Sequence, residues 1–168
     1  METGGSKWSV VEQKRVHFES NLTLLESMFL GEFRHTLDEK SRITLPAKYR
    51  PRLASGIVLT TGTKRFVLVF PMDEFEHLSE RVNSLSLVGP EAAMLRRQLF
   101  SNGFDMELDK QGRVVLPESL REYAGIRQEV VIAGVGNHIE LWNPEEWQHE
   151  REEIARAALE NPWAKLGI

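Results

Sequence analysis

The sequence contains no cysteine, and this absence excludes disulfide bridges, thiolate metal ligands and thiol nucleophiles. It also lacks an apolar run long enough to span a membrane. The five histidines are scattered, without the spacing that brings ligands together on a metal. Neither a glycine-rich phosphate loop nor a serine in a nucleophile elbow occurs. We therefore expect a protein that is not an enzyme, with no cofactor, no small-molecule substrate and no membrane partner.

An excess of basic residues is also missing, because the formal net charge of the 168 residues is −4. This balance argues against a simple polycation that coats nucleic acid. The hydrophobic content of 41% is nevertheless sufficient for a packed core. We expect one domain, or two small domains that are tightly joined.

What the sequence does contain is one motif written twice. The segment Leu37–Pro46 (LDEKSRITLP) recurs 71 positions later as Leu108–Pro117 (LDKQGRVVLP). A second match, between Phe70–Phe75 and Trp142–Trp147, follows at an offset of 72. A repeat of this length is one supersecondary unit used twice. Two units that are each too small to close a core are expected to pack against each other as a pseudo-dimer.

Residue patterns predict an α+β fold for each unit. Asn143 before a proline predicts a capped helix start, and Gly125 suits the end of a short helix that begins after Pro117. Pro46 begins the equivalent helix of the first unit, which Pro51 should end early. Gly112 at the position of Ser41 predicts a residue with positive φ in the turn. Alternating residue types predict strands at Phe33–Leu37, Arg42–Leu45, Ile57–Thr61, Phe66–Phe70, Val130–Ala133 and Ile139–Trp142.

The pattern divides the chain into five parts. A longer helix, about Pro90–Ser101, is expected to join the two repeats. The predicted parts are an N-terminal extension (residues 1–27), a first repeat (32–74), a helical connector (75–102), a second repeat (103–146) and a C-terminal helix with a tail (147–168).

The two repeats differ in charge. The window Phe33–Leu53 has six basic and two acidic residues, a net charge of +4. The equivalent window Phe104–Ala124 has three basic and five acidic residues, a net charge of −2. We expect the first window to attract phosphates and the second to contribute mainly to the reading of bases.

The twice-used Asp-x-x-x-Arg is the main functional candidate. In a tight hairpin, Asp38 at the entry and Arg42 at the exit lie close together, and Asp109 and Arg113 repeat the pair. One interpretation is a cross-strand salt bridge that sets the register, worth on the order of 0–1 kcal/mol. The other is that each aspartate orients its arginine toward a planar acceptor such as guanine or phosphate. Spacing alone leaves both interpretations open.

Over residues 28–168 the chain resembles the MraZ family of bacterial transcription regulators. The resemblance rests on the opening MFLGEF at Met28–Phe33, on the two Leu-Asp to Leu-Pro segments in the correct order, and on the closing segment Ile139–Trp147. It implies two AbrB-like repeats that form a swapped-hairpin, or double-split, β barrel with flanking helices. It also implies that subunits assemble into a ring-like homo-oligomer.

The same resemblance implies a function. We expect sequence-specific binding to double-stranded promoter DNA with short direct repeats, and control of the division and cell-wall gene cluster, including the chain's own promoter. The protein is then expected in the cytoplasm, associated with the nucleoid. The alternatives are an AbrB-like antitoxin that binds DNA and a toxin, and an oligomeric scaffold without nucleic acid. The expected DNA-binding residues are Asp38, Arg42, Asp109, Arg113, Lys40, Lys48 and Arg50.

Residues 1–27 match neither repeat, and the family pattern begins at Met28, where translation can also start. We expect this extension to be disordered and to contribute nothing to function. Synonymous codons exist for Lys7–Glu12 that contain GTGGAG twice, with starts about ten bases apart, close to one turn of B-DNA. One hypothesis is that this stretch is the DNA-binding site itself read as protein, and coincidence is the alternative. The codons of the gene decide between them.

Overall fold

The computed structural model describes residues 24–168, of which residues 24–27 form one helical turn. The remainder of the predicted extension lies outside the described residues. The strands are β1 (Phe29–Thr36), β2 (Arg42–Thr44), β3 (Ile57–Thr61), β4 (Phe66–Pro71), β5 (Phe104–Met106), β6 (Arg113–Val115), β7 (Glu129–Gly136) and β8 (His138–Trp142). The helices are a 3-10 helix (Ala47–Leu53), α1 (Met72–Asn83), α2 (Pro90–Arg96) with a π-helical turn (Arg97–Ser101), α3 (Glu118–Ala124), α4 (Pro144–Ala158) and α5 (Pro162–Lys165).

The strands exchange partners between the two repeats. Six of them form one antiparallel sheet in the order β1-β7-β8-β4-β3-β5, and β2 and β6 form a separate two-stranded ribbon. The order of the sheet reads the same in reverse when each strand is replaced by its counterpart in the other repeat. In each half, the first strand of one repeat pairs with the third strand of the other, β1 with β7 and β5 with β3. The predicted α+β pseudo-dimer is confirmed.

Two expectations about the strands are wrong. The strands that flank each Asp-x-x-x-Arg turn do not form a hairpin with each other, because β1 pairs with β7 and β2 pairs with β6. The turn instead carries the chain out of the sheet and across the core into the ribbon. The barrel is also not closed, since the sheet formed by the described residues ends at β1 and β5.

The helix predictions hold at their caps but not throughout. The side chain of Asn143 accepts from the N–H of Glu145 at 2.8 Å, and Gly125 ends α3 with a φ of 65°. Pro51 lies inside the 3-10 helix, whose short turns do not need its missing N–H. The connector changes to a π-helical turn after Arg96, where buried threonines of β3 donate to its carbonyl groups.

One hydrophobic core lies between the ribbon and the sheet and takes residues from both repeats. Ile43 of β2 and Val114 of β6 point into it, because residues alternate between the two faces of a strand. The sheet side of this core is formed by Ile57, Leu59, Val67, Val69, Val130, Ile132, Ile139 and Leu141. Since neither repeat holds this set alone, the two repeats form one domain.

The contact between β1 and β7 is tight at Gly134. A Cβ added there would lie 2.6 Å from the backbone N of Leu30 and 2.5 Å from Oη of Tyr49. We expect Gly134→Ala to force β1 away from β7 and to lower the free energy of unfolding by about 1–3 kcal/mol. Urea unfolding measures this loss. As a control, Val135→Thr changes an exposed β-branched residue of the same strand and should alter stability by less than about 0.5 kcal/mol; equal stabilities would contradict the tight contact.

Candidate functional site

The first Asp-x-x-x-Arg segment is a compact turn closed by its own aspartate. Oδ1 of Asp38 accepts hydrogen bonds from the backbone N–H groups of Lys40 and Arg42, both at 2.9 Å. Oδ2 of the same carboxylate accepts from Nε of Arg42 at 2.7 Å. The backbone N–H of Ser41 donates to the carbonyl of Asp38 at 2.9 Å. Ser41 has a φ of 56°, so the positive φ predicted for this position is present.

The second turn repeats this geometry and adds one contact. Asp109 accepts from the backbone N–H groups of Gln111 and Arg113 at 2.9 Å and from Nε of Arg113 at 2.8 Å. Gly112 has a φ of 74°. In addition, Nη2 of Arg113 donates to Oε1 of Gln111 at 3.2 Å. Two side chains therefore hold Arg113, whereas one holds Arg42.

Both carboxylates are stabilised in their ionised form. The pKa of Asp38 lies below its ordinary value, chiefly because the backbone N–H of Arg42 donates to it, and the Arg42 side chain adds to this effect. The pKa of Asp109 is lowered in the same way by the backbone and side chain of Arg113. At neutral pH each ionised carboxylate therefore holds Nε of its arginine, while the guanidinium ends stay partly exposed.

The ribbon brings the two arginines together. Arg42 of β2 lies opposite Val115 of β6, and Arg113 lies opposite Thr44. These four residues point outward, because the residues between them point into the core. Diagonal neighbours in an antiparallel pair are about 7–8 Å apart. Two motifs that are 71 residues apart in the sequence thus form one site.

Each turn is tied to the other repeat. The N–H of Leu45 donates to the carbonyl of Gly112, and the N–H of Leu116 donates to that of Ser41, both at 2.9 Å. Nε of Arg50 donates to the carbonyl of Leu45 at 3.2 Å. The Arg50 guanidinium lies directly against Gly112, where an added Cβ would overlap it. Arg50 of the first repeat thus packs on the turn of the second.

The other basic residues of the first window are dispersed. Lys40 is exposed on the first turn and makes no ion pair within residues 24–168. Nζ of Lys48 lies 4.9 Å from the centre of the Phe33 ring. Arg52 is bound at 2.8 Å by Asp73 in the first turn of α1. The positive charge counted in the sequence window is therefore not concentrated at the turn.

Other kinds of site were sought in the same residues. Across the part of the chain that the structure describes, three or more His, Asp or Glu side chains never gather in a way that would hold a metal ion. The helices described here are all too short or too polar to cross a membrane. The ribbon face is therefore the candidate that the geometry supports.

Comparison with known proteins identifies the family. The model of the family described as "MraZ protein, putative antitoxin-like" matches residues 28–98 and, a second time, residues 99–166. The chain belongs to the MraZ family. The boundary between the two MraZ matches falls inside the predicted connector, residues 75–102.

Individual MraZ proteins cover most of the chain. A relative from Herpetosiphon aurantiacus is 48% identical over 121 residues, 72% of this chain and 85% of the relative. One from Roseiflexus castenholzii is 44% identical over 122 residues, 73% of this chain and 85% of the relative. One from Natranaerobius thermophilus is 42% identical over 134 residues, 80% of this chain and 93% of the relative. All three are named Transcriptional regulator MraZ, which describes a regulator and not an enzyme.

Sequence reasoning missed three residues of this surface. Thr44 and Val115 share the outer face of the ribbon with the arginines, and Gln111 holds one of the arginines. The signal for the first two was present, because each lies two residues after an arginine and strand residues alternate. It did not lead to them because the pairing of β2 with β6 was not foreseen.

Positions 41 and 112 test the closure of the turns. Gly112→Ser adds a Cβ that overlaps Arg50 at a φ of 74°, so we expect a loss of about 1–2 kcal/mol in the free energy of unfolding. Ser41→Gly removes the side chain from a left-handed residue and should leave stability unchanged or raise it by up to about 1 kcal/mol. Urea unfolding measures both variants. Losses of similar size in both would show that the two turns respond alike and contradict this assignment.

The carboxylates give a prediction for pH. Carboxyl ¹³C NMR should show Asp38 and Asp109 titrating below the ordinary aspartate pKa, because N–H groups hold the ionised form. A pKa lowered in the folded state means that this stabilisation is present above the unfolded pKa and is lost as pH falls through the folded pKa. Arg42→Ala should raise the Asp38 midpoint only in part, since two backbone N–H bonds remain, and should not move that of Asp109. An Asp38 midpoint at the ordinary value in the unsubstituted chain would contradict the closed turn.

Proposed function

We propose that the chain is a DNA-binding transcriptional regulator that places the outer face of the ribbon in the major groove. The observation that carries this proposal is the pair of aspartate-held arginines, Arg42 and Arg113, on one face of a two-stranded antiparallel ribbon. The major groove of B-DNA is about 12 Å wide and admits such a ribbon. Relatives named transcriptional regulators support the same function.

In this proposal each arginine reads a guanine. The guanidinium donors of arginine match O6 and N7 of guanine, and a bidentate pair contributes about 1–3 kcal/mol of discrimination. Because Asp38 and Asp109 bind Nε, the outer nitrogens of each arginine are oriented before DNA arrives. Less side-chain freedom is then lost on binding. The aspartates thus act by positioning the arginines.

The remaining predicted residues have supporting roles. Lys40, exposed beside Arg42, contacts a phosphate next to the first turn, and Lys48 contacts a flanking phosphate. Such contacts supply affinity without sequence information. Arg50 acts indirectly, since it packs on Gly112 and holds the second turn in place.

Self-association into a ring-like homo-oligomer is part of the same proposal. The two turns, residues 38–42 and 109–113, together carry four basic and three acidic residues, and the whole chain has a net charge of −4. One subunit therefore attracts phosphates only weakly. Several linked copies on one DNA raise affinity through effective concentration. Short direct repeats would present the same groove to each copy.

The target and location follow from the family. We propose that the chain binds the promoter of its own gene and controls the division and cell-wall gene cluster. This activity places it in the cytoplasm, associated with the nucleoid.

A regulator that also binds a toxin is the second candidate. It is favoured by the words "antitoxin-like" in the family description and by the exposed apolar residues Leu159, Trp163 and Leu166 at the C-terminal end. A scaffold without nucleic acid is the third candidate. Salt-dependent binding to promoter DNA separates it from the first two.

The arginines provide the main test. Footprinting locates the site in the DNA upstream of the chain's own gene, and fluorescence anisotropy then measures affinity. Arg42→Ala and Arg113→Ala should each weaken specific binding by about 5- to 150-fold. Arg42→Lys keeps the charge but loses the planar donor pair, so specific binding should weaken while nonspecific binding remains.

The control for this test is Arg156→Ala, which removes a base from the last turn of α4. We expect it to bind like the unsubstituted chain. Specific binding that survives both alanine substitutions at Arg42 and Arg113 would overturn the proposed function.

Asp38→Asn separates orientation from charge. If Asp38 holds Arg42, the substitution should weaken binding to the cognate site although it removes a negative charge, while nonspecific binding holds or improves. Glu39→Gln is the matched control, because it removes the same charge from the neighbouring exposed residue. It should improve binding slightly on all sequences. An equal gain from both substitutions would show that orientation is unimportant.

A further inference from the structure

The outer face of the ribbon carries two side chains besides the arginines. Thr44 and Val115 occupy equivalent positions, each two residues after an arginine, and each lies opposite the arginine of the other repeat. Val115 is 48% exposed, whereas the adjacent Val114 is 4% exposed. An apolar side chain is thus displayed between charged groups, on the surface proposed to enter the groove.

We infer that Val115 and Thr44 are specificity-determining residues that contact the 5-methyl groups of thymines next to the guanines read by the arginines. This inference rests on the proposed function and deepens it. Side chains directly opposite in an antiparallel pair have Cβ atoms about 4.5–5.5 Å apart. Successive base pairs are about 3.4 Å apart along the duplex. Arg42 and Val115 therefore reach the same base pair or neighbouring ones, and so do Arg113 and Thr44.

The chemistry of the two side chains selects the base. Valine has no polar side-chain atom, and the thymine methyl is the apolar group on the base edges of the major groove. Against the other bases, Val115 would cover donors or acceptors without bonding to them, which is unfavourable. The methyl group of Thr44 can make the same contact, but its hydroxyl can also bond to other edges. Discrimination for thymine is therefore sharper at Val115.

Removal of single methyl groups from the DNA tests the contact. Selection from random-sequence duplexes by the full-length chain first defines a bound site. Synthetic duplexes of that site then carry deoxyuracil, which lacks only the 5-methyl group, in place of one thymine at a time. We expect one thymine whose replacement weakens binding by up to about fourfold, as burial of one methyl group predicts. A second, smaller loss is expected at the thymine that Thr44 contacts.

Variants assign the methyl groups to the side chains. Val115→Ala should bind the thymine duplex more weakly and should no longer distinguish it from the deoxyuracil duplex. Val115→Thr keeps one methyl group and should retain the distinction. For the second thymine, Thr44→Ser should lose the distinction and Thr44→Val should keep it. Val135→Ala is the matched control, because Val135 is a similarly exposed valine (42%) on β7 and should have no effect.

The outcomes of this experiment separate the two proposals. If the chain binds thymine and deoxyuracil duplexes equally at every position, or if Val115→Ala keeps the full distinction, the inference is overturned. In either case, loss of binding in Arg42→Ala and Arg113→Ala keeps the proposed function. Selection that enriches no sequence would overturn both.

Discussion

Strand exchange between the repeats is the constraint on which the rest of the structure depends. β1 bonds to β7 along eight residues, so the first repeat cannot complete its backbone hydrogen bonds without the second. The same dependence holds in the ribbon, where the N–H of Leu45 reaches the carbonyl of Gly112 and the N–H of Leu116 reaches that of Ser41. The position of each arginine is therefore set by the repeat to which it does not belong.

Within each turn, one carboxylate fixes both the backbone and the functional side chain. Asp38 bonds to two backbone N–H groups and to Nε of Arg42, and Asp109 does the same for Arg113. The structural and the functional interpretations of the motif are thus compatible. A turn that folds correctly already has its arginine oriented, so little of the surface needs to rearrange when a partner arrives.

Local features were predictable because local residues determine them. The cap at Asn143, the left-handed residue at position 41 and the proximity of Asp38 to Arg42 each follow from a few neighbouring positions. The pairing of β2 with β6 was not predictable, since three-residue strands carry too little alternation to specify a partner 71 positions away. The apparent basic patch failed for a related reason. Sequence windows count charges, but tertiary contacts place Arg52 on α1 and Arg50 behind the opposite turn.

The backbone of the ribbon is nearly symmetric, but its side chains are not. Lys40 on one turn corresponds to Gln111 on the other, and Thr44 corresponds to Val115. A ribbon with two identical halves would fit a duplex equally well in both orientations. This ribbon has a direction, so reversing the subunit on the DNA exchanges unlike side chains at every contact. Sites that follow one another head to tail let every subunit face the same way, whereas an inverted pair would oblige neighbouring subunits to point in opposite directions.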